Sequence, residues 1–481
     1  MTRRPAARLL PLLAPALAAL AGCPDRTIAE VHPSQGRVES KDIPVAANRD
    51  IDILFLIDDS SSMKDKQDNL ASNFPQFIDV LATIQGGLPN VHIGITTSDM
   101  GTSATNGVGA TNGGCTGTGR GGKLQVLGAP GVTGKFLSDT VSASDPLTRT
   151  RNYTGDLATT FATMATAVGT VGCGFEQHLE AIKTALDPAG PAASFNAGFI
   201  RPSALLAIII IADEDDCSLS DNALIEGADE SPLGPLVSFR CTRYGVTCDV
   251  GGATPDEMNV VGTKTQCHSN ETGDHLTKVS GYVDFVKGLK ADPKSVIVAL
   301  VGGPAVPVAT EKRTDAQHAT PIPALAHACE YTGASGKEVA DPSVRQSEFI
   351  NAFPNRGTTT TICDSDLTGG LAQIAQLIKD ASGNACMTGT PVVPYDCSVS
   401  TVENPGASQV ETILHECMDE TDTDLSPNAP CWALVADAAQ CATSPGDLKL
   451  RVKRNGVRPA DGTHILANCV TAVTDGSGSN Q

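Results

Sequence analysis

Three oxygen-bearing side chains stand together at the end of an apolar segment. Residues 51–57 (IDILFLI) form a run of strand length, and Asp58, Ser60 and Ser62 follow it in the spacing D-x-S-x-S. A short loop there can turn one carboxylate and two hydroxyl groups toward one point. These are hard oxygen ligands, which suit Mg²⁺, Mn²⁺ or Ca²⁺ better than Zn²⁺. The pattern predicts a divalent-cation site, with a helix-capping loop as the alternative interpretation.

A second carboxylate follows another apolar segment. Asp213 comes directly after residues 205–212 (LLAIIIIA), and a continuous apolar run is typical of a strand buried on both faces. The carboxyl ends of parallel strands meet at one edge of a doubly wound sheet, so we expect Asp213 to join Asp58 at the cation. Three further carboxylates are candidates to support these ligands: Asp59, Asp215 and Asp216. The last two are also candidates to bind a second ion. A solvated loop is the alternative for the last two.

Strand and helix patterns alternate over most of the chain. Apolar strands at 51–57, 205–212 and 295–301 are separated by segments whose apolar residues recur at helical spacing. This alternation predicts an α/β fold with a doubly wound, mostly parallel sheet flanked by helices over residues 49–385. Residues 216–272 carry four cysteines without a clear period, and we interpret them as an insertion.

The cysteines indicate disulfide bonds. The chain has 15 cysteines, and setting Cys23 aside leaves 14, an even number. Eight lie from Cys115 to Cys363 and six follow, so each group could pair internally. The last six lie among short β-like stretches separated by turn residues. Residues 386–481 are therefore predicted to be a small, disulfide-rich, mainly β domain with a disordered end.

The N-terminus has the pattern of an export signal. Three arginines precede an apolar run that is too short to span a bilayer and that ends in LAGC at 20–23. This ending resembles the lipobox of bacterial lipoproteins, which implies that residues 1–22 are removed and that Cys23 is lipidated. Residues 23–48 would then be a flexible tether. An ordinary secretory signal is the alternative, and Pro24 favours the outer membrane, facing the periplasm or the outside.

The segment IDILFLIDDSSSM resembles the first strand and metal-ion-dependent adhesion site (MIDAS) of von Willebrand factor type A (VWA) domains, over about residues 49–380. The resemblance implies that the two serines bind the metal directly and that Asp58 and Asp213 bind it directly or through water. It also implies an open coordination position for an acidic side chain of a partner protein. The family's threonine ligand has two candidates here, Glu176 and Thr170, and a glutamate would favour Ca²⁺ while reducing the attraction for an acidic partner.

The charge balance excludes one class of partner. With 34 Lys and Arg against 54 Asp and Glu, the net charge is −20, and it becomes −23 without the three arginines of residues 1–22. Binding to nucleic acid through phosphate contacts needs a basic stripe, which this sequence lacks.

No complete catalytic motif occurs in the sequence. GTGRGGK at 117–123 lacks the Ser or Thr of a P-loop, and His415-Glu416 lacks the second histidine of H-E-x-x-H. We expect a non-enzymatic, lipid-anchored protein of the bacterial envelope that binds a divalent cation and, through it, a protein ligand in adhesion or another interaction. One alternative is a structural or assembly component in which the metal only stabilises the fold. The other is an enzyme that acts through the insertion or the C-terminal domain.

Overall fold

The structure is a computed structural model that describes residues 36–44, 49–84, 87–101, 117–142, 145, 148–225, 232–315, 318–383, 385–403, 409–421, 423–438, 441, 444–457, 459 and 463–472. The predicted signal segment, the lipidation candidate Cys23 and most of the predicted tether lie outside these residues. Within the described ranges, no helix has both the length and the apolar character needed to cross a membrane.

The described residues form eight α-helices and nineteen β-strands. The helices are α1 (Lys64–Ala82), α2 (Leu157–Ala167), α3 (His178–Leu186), α4 (Phe239–Gly245), α5 (Pro255–Met258), α6 (Val279–Gly288), α7 (Val344–Asn351) and α8 (Thr368–Ala381). The strands are β1 (Gly36–Pro44), β2 (Asp50–Ile57), β3 (Asn90–Thr97), β4 (Leu137–Val141), β5 (Arg149–Arg151), β6 (Leu205–Ile211), β7 (Val246–Val250), β8 (Gly262–Ser269), β9 (Val296–Gly302), β10 (Val308–Arg313), β11 (Ile322–Leu325), β12 (Cys329–Gly333), β13 (Gly336–Ala340), β14 (Gly357–Thr361), β15 (Cys397–Glu403), β16 (Val410–Glu416), β17 (Cys431–Ala436), β18 (Leu448–Lys453) and β19 (His464–Ala472).

The sheet that carries the predicted cation ligands is mixed. Its seven strands have the order β14-β9-β6-β2-β3-β4-β5. The first five strands run parallel, and β4 and β5 add antiparallel pairs at one edge. Helices α1, α2 and α8 pack on one face, and α3, α6 and α7 pack on the other.

Strand β2 lies at the centre of this sheet because its side chains are apolar on both faces. Phe55 packs in one core and Leu54 in the other, and neither is exposed to solvent. The ring centroid of Phe55 lies 5.7 Å from that of Phe74 on α1 and 4.7 Å from that of Phe161 on α2. This packing holds the carboxyl end of β2, where the predicted ligands begin.

Three further sheets hold the other twelve strands. A four-stranded antiparallel sheet has the order β11-β10-β8-β7, and β12 pairs with β13 as a hairpin. A six-stranded sheet has the order β1-β19-β15-β16-β17-β18, and it is antiparallel except for a short parallel pairing of β16 with β17. The four-stranded sheet includes β10 and β11, so it extends beyond the insertion predicted at 216–272.

The predicted fold class, a doubly wound and mostly parallel α/β fold with a small β domain, is wrong for this chain. Strands account for 32% and helices for 24% of the structure. Twelve of the nineteen strands lie in antiparallel or mixed sheets outside the seven-stranded one, which is itself mixed. Hydrophobic periodicity does not reveal strands such as β8 and β12, because few of their residues are buried. Antiparallel strands tolerate a solvated face, whereas parallel strands need apolar cover on both faces.

Part of the predicted tether is also a strand. Residues 36–44 form β1, which pairs with β19 over nine residues, from Gly36 opposite Ala472 to Pro44 opposite His464. The sequence GRVESKDIP offers little apolar pattern, and Ile43 is its one buried hydrophobic residue among those described. Backbone pairing with β19 therefore determines the conformation of this segment, and the tether prediction is wrong for residues 36–44.

Six disulfide bonds join cysteines within the described ranges. They are Cys217–Cys241, Cys248–Cys267, Cys329–Cys363, Cys386–Cys441, Cys397–Cys469 and Cys417–Cys431. Three lie in the first group of cysteines and three in the last, so the prediction of disulfides that pair within each group is confirmed for these twelve cysteines.

Candidate functional site

The structure brings Asp58 and Asp213 to the same edge of the seven-stranded sheet. Strands β2 and β6 are parallel neighbours, with Ile57 opposite Ile211 at their carboxyl ends. The amide of Asp58 donates to the carbonyl of Ile211 across 3.0 Å, so the pairing continues to the first candidate ligand. Both aspartates are buried.

The two predicted serines lie in the turn between β2 and α1. The amide of Ser60 donates to Asp58 Oδ1 across 2.8 Å, and a 3-10 turn at Ser61–Met63 leads into α1. The hydroxyl oxygens of Ser60 and Ser62 lie 3.1 Å apart. Neighbouring ligands of a Mg²⁺ ion bound at about 2.1 Å are about 3 Å apart, so this separation suits two ligands of one ion.

The two carboxylate oxygens of Asp213 have different surroundings. Oδ2 lies 3.0 Å from Nζ of Lys66, whereas Oδ1 is buried without a hydrogen-bond partner in the described part of the chain. Burial and the charge of Asp58 raise the pKa of Asp213 to about 6, and Lys66 acts in the opposite direction. A buried oxygen without a partner is costly, so Oδ1 is a position where a cation would be favourable.

Lys66, on the first turn of α1, is only 1% exposed. Its ammonium group also donates to the carbonyl of Ser62 across 3.0 Å and to Glu338 Oε2 across 2.7 Å. Burial acts against the charged form, but Asp213 and Glu338 outweigh it, and the pKa of Lys66 is raised above its ordinary value. The site therefore contains a permanent positive charge.

Asp58 is held by side chains from two other elements. Its Oδ1 accepts a hydrogen bond from the hydroxyl of Ser98 across 3.1 Å, and its Oδ2 lies 3.4 Å from Nε2 of His178 at the start of α3. Burial lowers the pKa of His178, but the hydrogen bond and charge of Asp58 outweigh this effect, so the pKa is raised. These contacts fix the orientation of the Asp58 carboxylate.

Asp59 connects two loops, at Arg120 and Gly172, to the end of β2. Its Oδ2 lies 2.9 Å from Nε of Arg120, and its carbonyl accepts the amide of Gly172 across 2.7 Å. A Cβ atom at Gly172 would come within 2.3 Å of Asp59 Oδ1, so the close approach of this loop requires glycine. Burial and the charge of Asp58 raise the pKa of Asp59 to about 7, with Arg120 acting in the opposite direction.

Both candidates for the third-loop ligand line a cavity of about 570 Å³ that also borders Ser60 and Ser62. Glu176 is 2% exposed and shares a hydrogen bond with Glu214, another residue of the cavity wall. Burial and neighbouring carboxylates raise the pKa of both glutamates well above the ordinary value, so one carboxyl donates to the other. Thr170 lies on the same wall, so both candidates border the cavity.

Asp215 and Asp216 stabilise helix ends. Asp215 accepts the backbone amides of residues 344–346 at the start of α7, at 2.9 to 3.1 Å. Asp216 accepts the amide of Leu179 on α3 across 2.9 Å and Nη2 of Arg345 across 3.0 Å. Burial raises the pKa of Asp215 to about 6 in spite of its hydrogen bonds. Both carboxylates therefore position helices, Asp215 at the start of α7 and Asp216 at the start of α3.

The donor set suits a small, hard cation. Among the described residues, no group of three or more His, Cys, Asp or Glu side chains is arranged to hold a metal. A cation here would instead be held by the carboxylates of Asp58 and Asp213 and the hydroxyl groups of Ser60 and Ser62. All of these are oxygen ligands, which Mg²⁺, Mn²⁺ and Ca²⁺ prefer.

Several residues of the site are missing from the sequence prediction, among them His178, Glu214, Lys66, Arg120 and Glu338. Lys66 follows Ser62 by one helical turn, and this spacing is the local signal that could have found it. Arg120 lies in a glycine-rich segment with no pattern of its own. Glu338 lies 272 residues beyond Lys66, so only the tertiary structure reveals the contact.

Comparisons with known proteins give little further guidance. No protein-family model and no curated protein matches the chain. The solved structures that it matches include the pilus adhesin RrgA from Streptococcus pneumoniae, with 10% sequence identity and a TM-score of 0.21. The match covers 91% of this chain and 58% of the adhesin chain, so this chain spans less than two thirds of the adhesin's length. A TM-score this low carries no argument about fold or function.

Proposed function

We propose that this chain binds a divalent cation at the carboxyl ends of β2 and β6 and binds a partner protein through that ion. The observation that carries the proposal is the buried Asp213 Oδ1, which has no partner among the described atoms and belongs to the same site as the two serine hydroxyls. Mg²⁺, Mn²⁺ and Ca²⁺ all match this oxygen chemistry.

The cavity supports a binding role for the ion. Glu176, Glu214 and Asp341 lie in its wall together with Ser60 and Ser62. Glu176 and Glu214 offer carboxyl groups and no positive charge to an acidic side chain of a partner, so a cation between the two would supply the attraction. An acidic side chain that completes the coordination of the ion would therefore bind in a strictly cation-dependent manner.

Partner capture tests the binding role. The chain is immobilised and exposed to envelope extract in Mg²⁺ or in EDTA, beside the Asp58→Asn variant in Mg²⁺. We expect a partner that is retained only by the unaltered chain in Mg²⁺. Equal capture in EDTA would instead support a structural or assembly role in which the metal only stabilises the fold.

Isothermal titration calorimetry tests the cation site separately. We expect Mg²⁺ or Mn²⁺ to bind the unaltered chain, and we expect Asp58→Asn to remove this binding while the thermal unfolding transition persists. Asp187→Asn is the matched control, because Asp187 caps the end of α3 in an ordinary turn. Binding that survives Asp58→Asn would contradict the site assignment.

Envelope anchoring through Cys23 is part of the proposal. Its support is the lipobox-like sequence at 20–23, together with disulfide bonds, which persist in oxidising compartments. Mass spectrometry of the mature N-terminus from a bacterial host should show a diacylglyceryl group on Cys23, and Cys23→Ala should release the protein from the membrane fraction. An unmodified N-terminus would indicate an ordinary secretory signal.

A further inference from the structure

We propose that the ammonium group of Lys66 is a built-in cation that competes with the divalent ion for Asp213 and so weakens the binding of that ion. The inference rests on the proposed cation site and assigns a new role within it. Lys66 is a positioning residue, because its charge acts on the ion through Asp213.

All three N–H donors of the Lys66 ammonium group have acceptors. They are Asp213 Oδ2 at 3.0 Å, the Ser62 carbonyl at 3.0 Å and Glu338 Oε2 at 2.7 Å. Two of these three acceptors belong to residues that are candidate ligands of the divalent ion. The ammonium group is therefore held directly beside the ion position.

The hairpin formed by β12 and β13 keeps Glu338 in place. The carboxylate of Asp65 on α1 accepts the amide and the hydroxyl of Ser335 at the hairpin tip, each across 2.7 Å. At the other end, the amide of Asp341 donates to the carbonyl of Asp213 across 2.8 Å. Hydrogen bonds thus hold the hairpin to both α1 and the end of β6. The hairpin places the Glu338 carboxylate beside Lys66.

This arrangement divides the two oxygens of Asp213 between two cations. Lys66 takes Oδ2, and only Oδ1 remains for a metal ion. An ammonium group and a divalent ion on one carboxylate are about 5 Å apart, and their repulsion is large enough for at least a tenfold loss of affinity even with water-like screening. The lysine therefore lowers the affinity of the site without occupying all of its ligands.

The test compares Lys66→Met with the unaltered full-length mature chain. Mn²⁺ is titrated into each protein, and free Mn²⁺ is followed by its electron paramagnetic resonance signal. We expect Lys66→Met to lower the Kd for Mn²⁺ at least tenfold. Lys379→Met is the matched control, because Lys379 is a buried lysine on α8 that donates to Thr83, and its replacement should leave the Kd unchanged.

A double variant covers the case in which Lys66→Met does not fold. Lys66→Met/Glu338→Gln removes both charges of the pair, so no buried carboxylate of Glu338 is left without its partner and the net charge is conserved. We expect it to bind Mn²⁺ more tightly than the unaltered chain.

The outcomes separate this inference from the proposed function. Tighter Mn²⁺ binding by Lys66→Met and by Lys66→Met/Glu338→Gln supports the competition. The same conclusion holds if these variants bind Mn²⁺ and the unaltered chain does not. Binding by the unaltered chain with an unchanged or higher Kd in the variants would overturn the role of Lys66 and leave the cation site intact. Absence of binding in every variant would overturn both.

Discussion

The Nη2 atom of Arg345 lies 3.0 Å from Oδ2 of Asp216, and both side chains are buried. Removing one partner of a buried ion pair leaves a charge without compensation, which costs about 3 to 5 kcal/mol. We expect Arg345→Met to lower the free energy of unfolding by about this amount in urea titrations. Arg313→Met is the control, because Arg313 pairs with Glu311 in an exposed position where such a pair is worth less than about 1 kcal/mol. Equal losses in the two variants would contradict the structural role assigned to Asp216.

A histidine joins the six-stranded sheet to the segment before β9, and its protonation should stabilise the fold. His464 on β19 lies 2.6 Å from Asp42 on β1 and 2.9 Å from Asp292. Burial lowers its pKa, but the two carboxylates outweigh this effect and the pKa of His464 is raised. Lys294 and Arg356 also face Asp42, Lys294 at its carboxylate and Arg356 at its backbone carbonyl.

The sign of the pH effect follows from this raised pKa. The stabilisation is fully present below the pKa of an unfolded histidine, about 6.5, and is lost as the pH rises through the folded-state value. The pKa of Asp42 is lowered to about 2, so this carboxylate stays ionised over the range tested. We expect His464→Gln to lower the free energy of unfolding, and we expect this loss to be larger at pH 5.5 than at pH 9. A difference that is constant, or larger at pH 9, would contradict the assigned charge state.

One disulfide closes a long loop in the six-stranded sheet. Cys397 and Cys469 lie directly opposite each other on β15 and β19 and are 72 residues apart in the sequence. The loop-entropy relation predicts a loss of about 4 kcal/mol when both are replaced by alanine. Replacing Cys417 and Cys431, whose separation is 14 residues, should cost about 3 kcal/mol. Guanidinium unfolding of the two double variants measures both losses of unfolding free energy. A loss below about 1 kcal/mol for the Cys397/Cys469 variant would refute the expectation.

The aromatic cluster of Phe55, Phe74 and Phe161 should contribute strongly to the free energy of unfolding. Phe55 is fully buried between α1 and α2, and a buried Phe→Ala change costs about 3 to 5 kcal/mol. We expect Phe55→Ala to lower the free energy of unfolding by this amount in chemical denaturation. Val171→Ala is the control on the cavity rim, because Val171 is 87% exposed and its truncation should change stability by less than about 0.5 kcal/mol. A similar loss of unfolding free energy in both variants would show that burial of the side chain does not determine this loss.

The sequence predicts the apolar strands that end at the site because burial on both faces leaves a continuous hydrophobic run, as in LLAIIIIA. It also predicts which oxygens stand at those strand ends, since Asp58, Ser60 and Ser62 follow one strand within five residues and Asp213 follows another. Both signals are local, and each is read within a window of about ten residues.

Strand β1, the four-stranded sheet and the positive charge at the site were not predictable in this way. Strand β1 is held by pairing with β19, more than 400 residues away, and the contact of Lys66 with Glu338 spans 272 residues. Strands with a solvated face need no apolar run, so sequences such as GRVESKDIP resemble loops. The fold class was wrong because twelve of the nineteen strands lie outside the seven-stranded sheet, which is itself mixed.

The most direct measurement is a crystal structure of the protein grown with Mn²⁺ and recorded at a wavelength where manganese scatters anomalously. We expect one anomalous peak bounded by Asp58, Ser60, Ser62 and Oδ1 of Asp213, and its loss in crystals of Asp58→Asn. A peak elsewhere, or none in crystals that contain saturating Mn²⁺, would contradict the proposed cation site.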